Sequence, residues 1–243
     1  MTRLQSELDR LYRSEAATAA SDAGLVDAQG QVRSLVLEVA QPSAWDALSP
    51  AWQGVQVDLD LPAPAIAVSG IDGLQLWFSL EAPIAVPDAH AFLASLRARF
   101  LADLPAARVR LWPDPATPTG HAAIVPALQS TGNWSAFVSP DLVAVFSDTP
   151  WLDIQPGDEG QAALLRGLES IKPAALAVAV ARLDADARDA RASAPAQGVA
   201  SSRQQPAAPE DDPRRFLLRV MNDHTVDLAL RIEAAKALLA FPV

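Results

Sequence analysis

Gly54 to Leu80 reads GVQVDLDLPAPAIAVSGIDGLQLWFSL, and its periodicity decides the expected fold class. From Val55 to Leu61 apolar and polar residues alternate. Val55, Val57, Leu59 and Leu61 point one way, and Gln56, Asp58 and Asp60 the other, which is the period of a half-buried strand. Pro62 and Pro64 interrupt the run, as suits a turn or a sheet edge. Ala65 to Val68 predicts a second short strand. Ser69-Gly70-Ile71-Asp72-Gly73 predicts a turn whose two glycines are free to adopt positive φ. Leu74 to Leu80 is the next strand, with Leu74, Leu76 and Phe78 on one face and Gln75, Trp77 and Ser79 on the other.

Upstream, Leu4, Leu8, Leu11 and Tyr12 recur at helical spacing, predicting a helix over residues 2–20. A short hairpin with Gln29-Gly30 at its turn is expected over 25–32, then a strand from Ser34 to Val39. Pro42-Ser43 starts a short helix to Leu48, with Ser43 as its N-cap. Downstream, Pro87 and Asp88 open a helix that runs to about Leu104. Ala107 to Trp112 predicts a strand, and further strands are expected at 122–125 and 132–138. Helical segments follow near Leu142 and over 159–182, the latter broken at Lys172-Pro173.

From Asp184 to Asp212 the chain turns rich in Ala, Pro, Ser and Gln and reads as a flexible linker. Residues 213–243 carry apolar residues at helical spacing on both sides of Asn222-Asp223-His224, which predicts an αα-hairpin. The expected architecture is therefore α+β: a mostly antiparallel mixed sheet flanked by helices in residues 1–183, a linker over 184–212, and a C-terminal αα-hairpin over 213–243.

The chain has 243 residues and a formal net charge of −10. Such a balance argues against nonspecific coating of nucleic acid, which needs Lys and Arg to replace counterions. It argues equally against an anionic membrane surface. There is no cysteine, which excludes disulfides and thiolate metal sites. No apolar run reaches the roughly 20 residues that span a bilayer, and the charged N-terminus has no apolar core of a secretory signal. A cytoplasmic location with no membrane partner is expected. All six Trp lie between Trp45 and Trp151, so the main core is expected in that span.

Asp58 and Asp60 are the sharpest chemical candidates. On a strand, a two-residue step puts both carboxylates on one face, about 7 Å apart at the backbone. There they can share a hard divalent cation, Mg²⁺ or Mn²⁺. A solvated acidic strand face is the alternative reading.

VQVDLD followed by AVSGIDGLQLWFSL resembles the archaeo-eukaryotic primase superfamily, over about residues 33 to 115. That family pairs a strand ending in Asp-x-Asp with a Ser-Gly turn leading into an apolar strand that carries His. The resemblance implies metal-binding and catalytic roles for Asp58 and Asp60. It implies phosphate contacts from Ser69, Gly70 and the residue at position 75, with Arg110 of RVRLWP facing the same groove. Here position 75 is Gln rather than His, and a neutral Gln implies a catalytically degenerate member. Nucleotide or nucleic acid is the partner so implied.

Other motifs are sparse. His90, His121 and His224 show no ligand spacing, and no Gly-x-Ser-x-Gly elbow or Walker A loop occurs. Arg97, Arg99, Arg108 and Arg110 form either a basic patch or a solvated helix end and strand face. Two functions are expected from different classes. One is a nucleotide- or nucleic-acid-associated protein with a primase-like, degenerate metal site. The other is a non-catalytic interaction module that recruits a protein partner through residues 213–241.

Overall fold

The computed structural model describes residues 1–13, 25–116 and 120–193, together with Lys236. The α+β class is observed. Five strands form one sheet in the order β4-β1-β3-β2-β5, with every neighbouring pair antiparallel. The strands are β1 (Gln31–Ala40), β2 (Ala65–Val68), β3 (Gly73–Ala85), β4 (Val109–Trp112) and β5 (Ala136–Val138). Five α-helices accompany them among the described residues: α1 (Arg3–Leu11), α2 (Ala44–Val57), α3 (Val86–Phe100), α4 (Asp158–Arg166) and α5 (Pro173–Ser193).

Alternation along β3 builds a core on each side of the sheet. Leu74, Leu76, Phe78 and Leu80 pack with Leu48 and Val55 of α2, Phe92, Leu93 and Leu96 of α3, and Leu183 of α5. Trp77 points the other way. It packs with Leu4, Leu8 and Leu11 of α1, Tyr12, Leu165 of α4 and Phe137 of β5. Ring centroids there lie 5.3 Å apart for Tyr12 and Trp77 and 6.0 Å apart for Trp77 and Phe137, within the range of favourable edge-to-face aromatic pairs.

The sheet ends without an open edge at β5. From α4, the side-chain amide of Gln161 accepts from Phe137 N–H at 2.8 Å and donates to Phe137 C=O at 3.0 Å. At the far end of β3, Ile171 bonds to Ser79 and Glu81, and Pro83 then offers no N–H to a further partner.

The stretch expected as a strand over 54–61 is instead the last turn of α2 and the loop after it. Trp45, Leu48, Trp52, Val55 and Leu59 already follow helical spacing, and Val55 and Leu59 satisfy both periods. Val57 separates the two readings, since a strand buries it with Val55 and a helix turns it outward. It is 81% exposed, while Val55 is fully buried. Pro50 lies inside this helix and Ser43 makes no capping bond.

Asp58 is the C-cap of α2, with its N–H bonded to Gly54 O at 2.8 Å. Asp60 then adopts φ +55°, a left-handed conformation in which Asp and Asn are the least disfavoured non-glycine residues. Replacing Asp60 with Gly is therefore expected to leave stability unchanged or raise it by up to about 1 kcal/mol, as read by urea denaturation.

Other boundaries shift for local reasons. The first helix stops at its C-cap Tyr12, short of the expected residue 20, and residues 14–24 lie outside the described set. Ala122–Val125 is irregular chain rather than a strand. The linker expected from Asp184 is helical as far as Ser193, because its Ala- and Arg-rich start has high helix propensity. The rest of the expected linker and the αα-hairpin fall outside the described residues, Lys236 apart. No helix among the described residues is long and apolar enough to cross a membrane.

Candidate functional site

The turn Ser69–Gly73 carries the first part of the expected site, and its polar atoms hold the turn itself. Ser69 Oγ accepts from the backbone N–H of Ile71 at 3.1 Å, Asp72 at 3.1 Å and Gly73 at 2.9 Å. Gly70 has φ +79°, and a Cβ there would stand 2.7 Å from Ser135 N. The glycine thus lets the turn lie against the 127–135 loop. This accounts for the Ser-Gly pair without a phosphate.

Cross-strand register brings Gln75 and Arg110 to one residue that sequence reading passed over. Glu38 on β1 lies opposite Gln75 on β3 and opposite Arg110 on β4, so all three share a face. Gln75 Nε2 donates to Glu38 Oε2 at 2.7 Å, and Trp77 Nε1 donates to Gln75 Oε1 at 2.8 Å. Arg110 Nη1 donates to Glu38 Oε1. The same guanidinium also forks onto Asp72, at 2.9 Å and 2.8 Å. The result is a continuous chain of donors and acceptors from Trp77 to Asp72.

The Glu38 side chain is only 3% exposed, against 41% for both Arg110 and Asp72. Burial pushes the Glu38 carboxyl above its ordinary range, outweighing the lowering by the Gln75 hydrogen bond and the Arg110 charge. The hydrogen bonds to Asp72 are the largest influence on Arg110 and raise its pKa further. Nearby, His121 bonds to Ser34 O at 3.0 Å, and burial lowers its pKa.

A cavity of about 120 Å³ opens beside this chain, with Glu38, Ser69, Gln75, Arg110, Trp112 and Gln129 among its lining residues. Three of the expected site residues, Ser69, Gln75 and Arg110, therefore do line one groove. Asp58 and Asp60 are not part of it. They follow α2, which packs on the opposite face of the sheet with α3 and α5.

On that side Asp58 pairs with Arg99 at 3.1 Å, and its carbonyl accepts from Arg182 Nη1 at 3.0 Å. Arg99 also pairs with Asp186 of α5. Asp58 is thus paired with an arginine, and the neighbouring Asp60 is left-handed and exposed. Among the described residues no group of three or more His, Cys, Asp or Glu has metal-binding geometry. Three of the four arginines have separate partners. Arg99 serves Asp58 and Asp186, Arg108 serves the carbonyls of Ala40 and Pro42, and Arg110 serves Glu38 and Asp72.

Glu38 had one sequence signal. It is the single charged residue in the run Ser34 to Ala40, and a lone charge in an apolar strand implies a buried partner. The partner's identity needed the register. The sequence matches no protein-family model and no curated protein.

Proposed function

We propose that this protein is a non-catalytic interaction module that recruits a protein partner through residues 213–241. One observation supports this most directly: the side chains expected to perform chemistry already have internal tasks. Ser69 holds its turn, Arg110 forks onto Asp72, and Asp58 pairs with Arg99. The sequence of the recruiting segment adds support, with Leu228, Ile232, Ala235 and Leu239 forming one apolar stripe at helical spacing.

The test compares the full chain with one ending at Ala194. Both are expected to give the same unfolding transition for residues 1–194, which form one compact unit, while only the full chain retains the partner. A partner held equally by the shortened chain overturns the reading.

A second reading is nucleotide or nucleic-acid association on a primase-like domain, with Mg²⁺ or Mn²⁺ at Asp58 and Asp60. The gathering of Ser69, Gln75 and Arg110 around one cavity favours it. Metal titration discriminates, because a ligand that binds only the folded state raises its stability. On the interaction reading, neither ion shifts Tm or nucleotide binding. The Asp58→Ala, Asp60→Ala double variant then costs the same with and without metal, about 1 kcal/mol for the exposed ion pair plus about 1–2 kcal/mol for Ala in the left-handed conformation of residue 60. A metal-dependent rise in Tm that this variant abolishes supports the second reading instead.

A further inference from the structure

We infer that the cavity beside Glu38 binds the edge of a neutral planar amide, a ring lactam or a primary carboxamide that presents adjacent N–H and C=O groups. The inference is separate from the recruitment reading, because residues 213–241 take no part in it.

Charge excludes the ions. Two carboxylates, Glu38 and Asp72, already face one guanidinium, whose fork is filled by Asp72. A phosphate or carboxylate would bring a third negative charge to an arginine with both of its directions toward Asp72 in use. A cation would sit beside the Arg110 guanidinium. A neutral group meets neither penalty.

Hydrogen-bonding capacity then selects the neutral group. A carboxylate offers about four lone-pair sites. Glu38 uses one on Gln75 Nε2 and one on Arg110 Nη1, so it can still accept from a ligand N–H. The Gln75 amide has two N–H bonds and uses one on Glu38, so the other can donate to a ligand C=O. The acceptor and donor are thus neighbours, and a cis-amide edge supplies their complements side by side. Because Glu38 is buried, each added N–H bond to it counts for more than in water.

Shape agrees. The lining residues Trp112, Ala122 and Val125 give the cavity apolar wall, suited to the faces of a flat group. At about 120 Å³ it exceeds what one water needs and falls below the roughly 300 Å³ of a pocket for a whole small molecule. It holds a head group whose remainder lies outside.

The amide edge has two sources, a nucleobase or a free carboxamide. Isothermal titration of the full chain with guanosine, uridine and nicotinamide separates them, with inorganic phosphate and guanidinium as controls. Saturable binding of at least one amide probe and of neither control is expected, and the probe that binds names the source. Glu38→Gln keeps the volume but exchanges one acceptor oxygen for a donor NH2, which costs one of the two internal hydrogen bonds as well as the acceptor offered to a ligand. It is expected to weaken binding about tenfold or more, the worth of a hydrogen bond to a charged group.

Ala123→Phe plugs the cavity from an exposed lining position without disturbing a buried group, and is expected to abolish binding in a folded chain. Asp58→Ala is expected to change nothing. The inference is overturned if no amide probe binds, if phosphate or guanidinium binds in its place, or if Ala123→Phe binds as well as wild type.

Discussion

Trp77→Ala is expected to cost about 3–5 kcal/mol, the usual range for emptying a buried Trp position. In a unit of this size that is a fall in Tm of roughly 10 °C. Trp77 is 1% exposed and joins three elements at once, Tyr12 after α1, Phe137 on β5 and Gln75 on its own strand. Its removal opens a void against rigid sheet backbone and strips Gln75 Oε1 of its donor. Trp45→Ala is the control. Trp45 is only partly buried at the edge of the opposite core, so its loss is expected to cost under half as much. Urea denaturation with a common m-value measures both. Equal costs would mean that the α1 face of the sheet does not carry the stability assigned to it.

Arg110→Leu is expected to cost about 2 kcal/mol. Removing one member of a fully buried pair costs 3–5 kcal/mol because the other charge is stranded. The exposure of Arg110 lets water relieve part of that loss. Glu38→Gln in the Arg110→Leu background is expected to recover at least half, since no charge is then left behind. A double variant no better than Arg110→Leu alone would show that the pair is not coupled.

The same carboxyl sets a pH dependence of definite sign. Burial raises the folded-state pKa of Glu38, so the folded chain holds this proton more tightly than the unfolded chain does. Its contribution to stability is fully present below the ordinary carboxylate pKa of about 4.3. It is lost as pH rises through the raised folded value. A Tm profile against pH should show this decline in the wild type, and Glu38→Gln should flatten it. His121 acts in the opposite sense. Its folded pKa is lowered by burial, so its contribution is present above about 6.5 and lost as pH falls through the lowered value.

Much of the sheet was legible because its signals are local. Leu74 to Leu80 alternates, and its two faces separate as the sequence implied. The Ser69–Gly73 turn, the two strands it joins, and the helix that follows Pro87 also stand near their expected places. The end of α2 was not legible, because Val55 and Leu59 fit a period of two and a period of 3.6 alike. Only the fate of Val57, which depends on tertiary packing, decides between them. That one ambiguity carried the Asp58 and Asp60 reading with it, since the shared face of the two carboxylates existed only on a strand.

The grouping of Ser69, Gln75 and Arg110 survived because it rests on strands that did form. Glu38 and Asp72 stayed hidden for a different reason. Glu38 meets Arg110 across 72 positions of sequence, and no local pattern specifies which residue of one strand faces which residue of another.

The amide of Gln161 on β5 has a consequence for many molecules rather than one. An edge strand with free N–H and C=O groups is a template on which another chain can add, and growth by such addition ends in fibrils. Here a side chain supplies the two bonds that a sixth strand would have made to Phe137, from a helix that cannot itself be extended by strand addition. The sheet is thereby finished at that edge within a single chain, and crowding gives neighbouring copies no invitation to continue it.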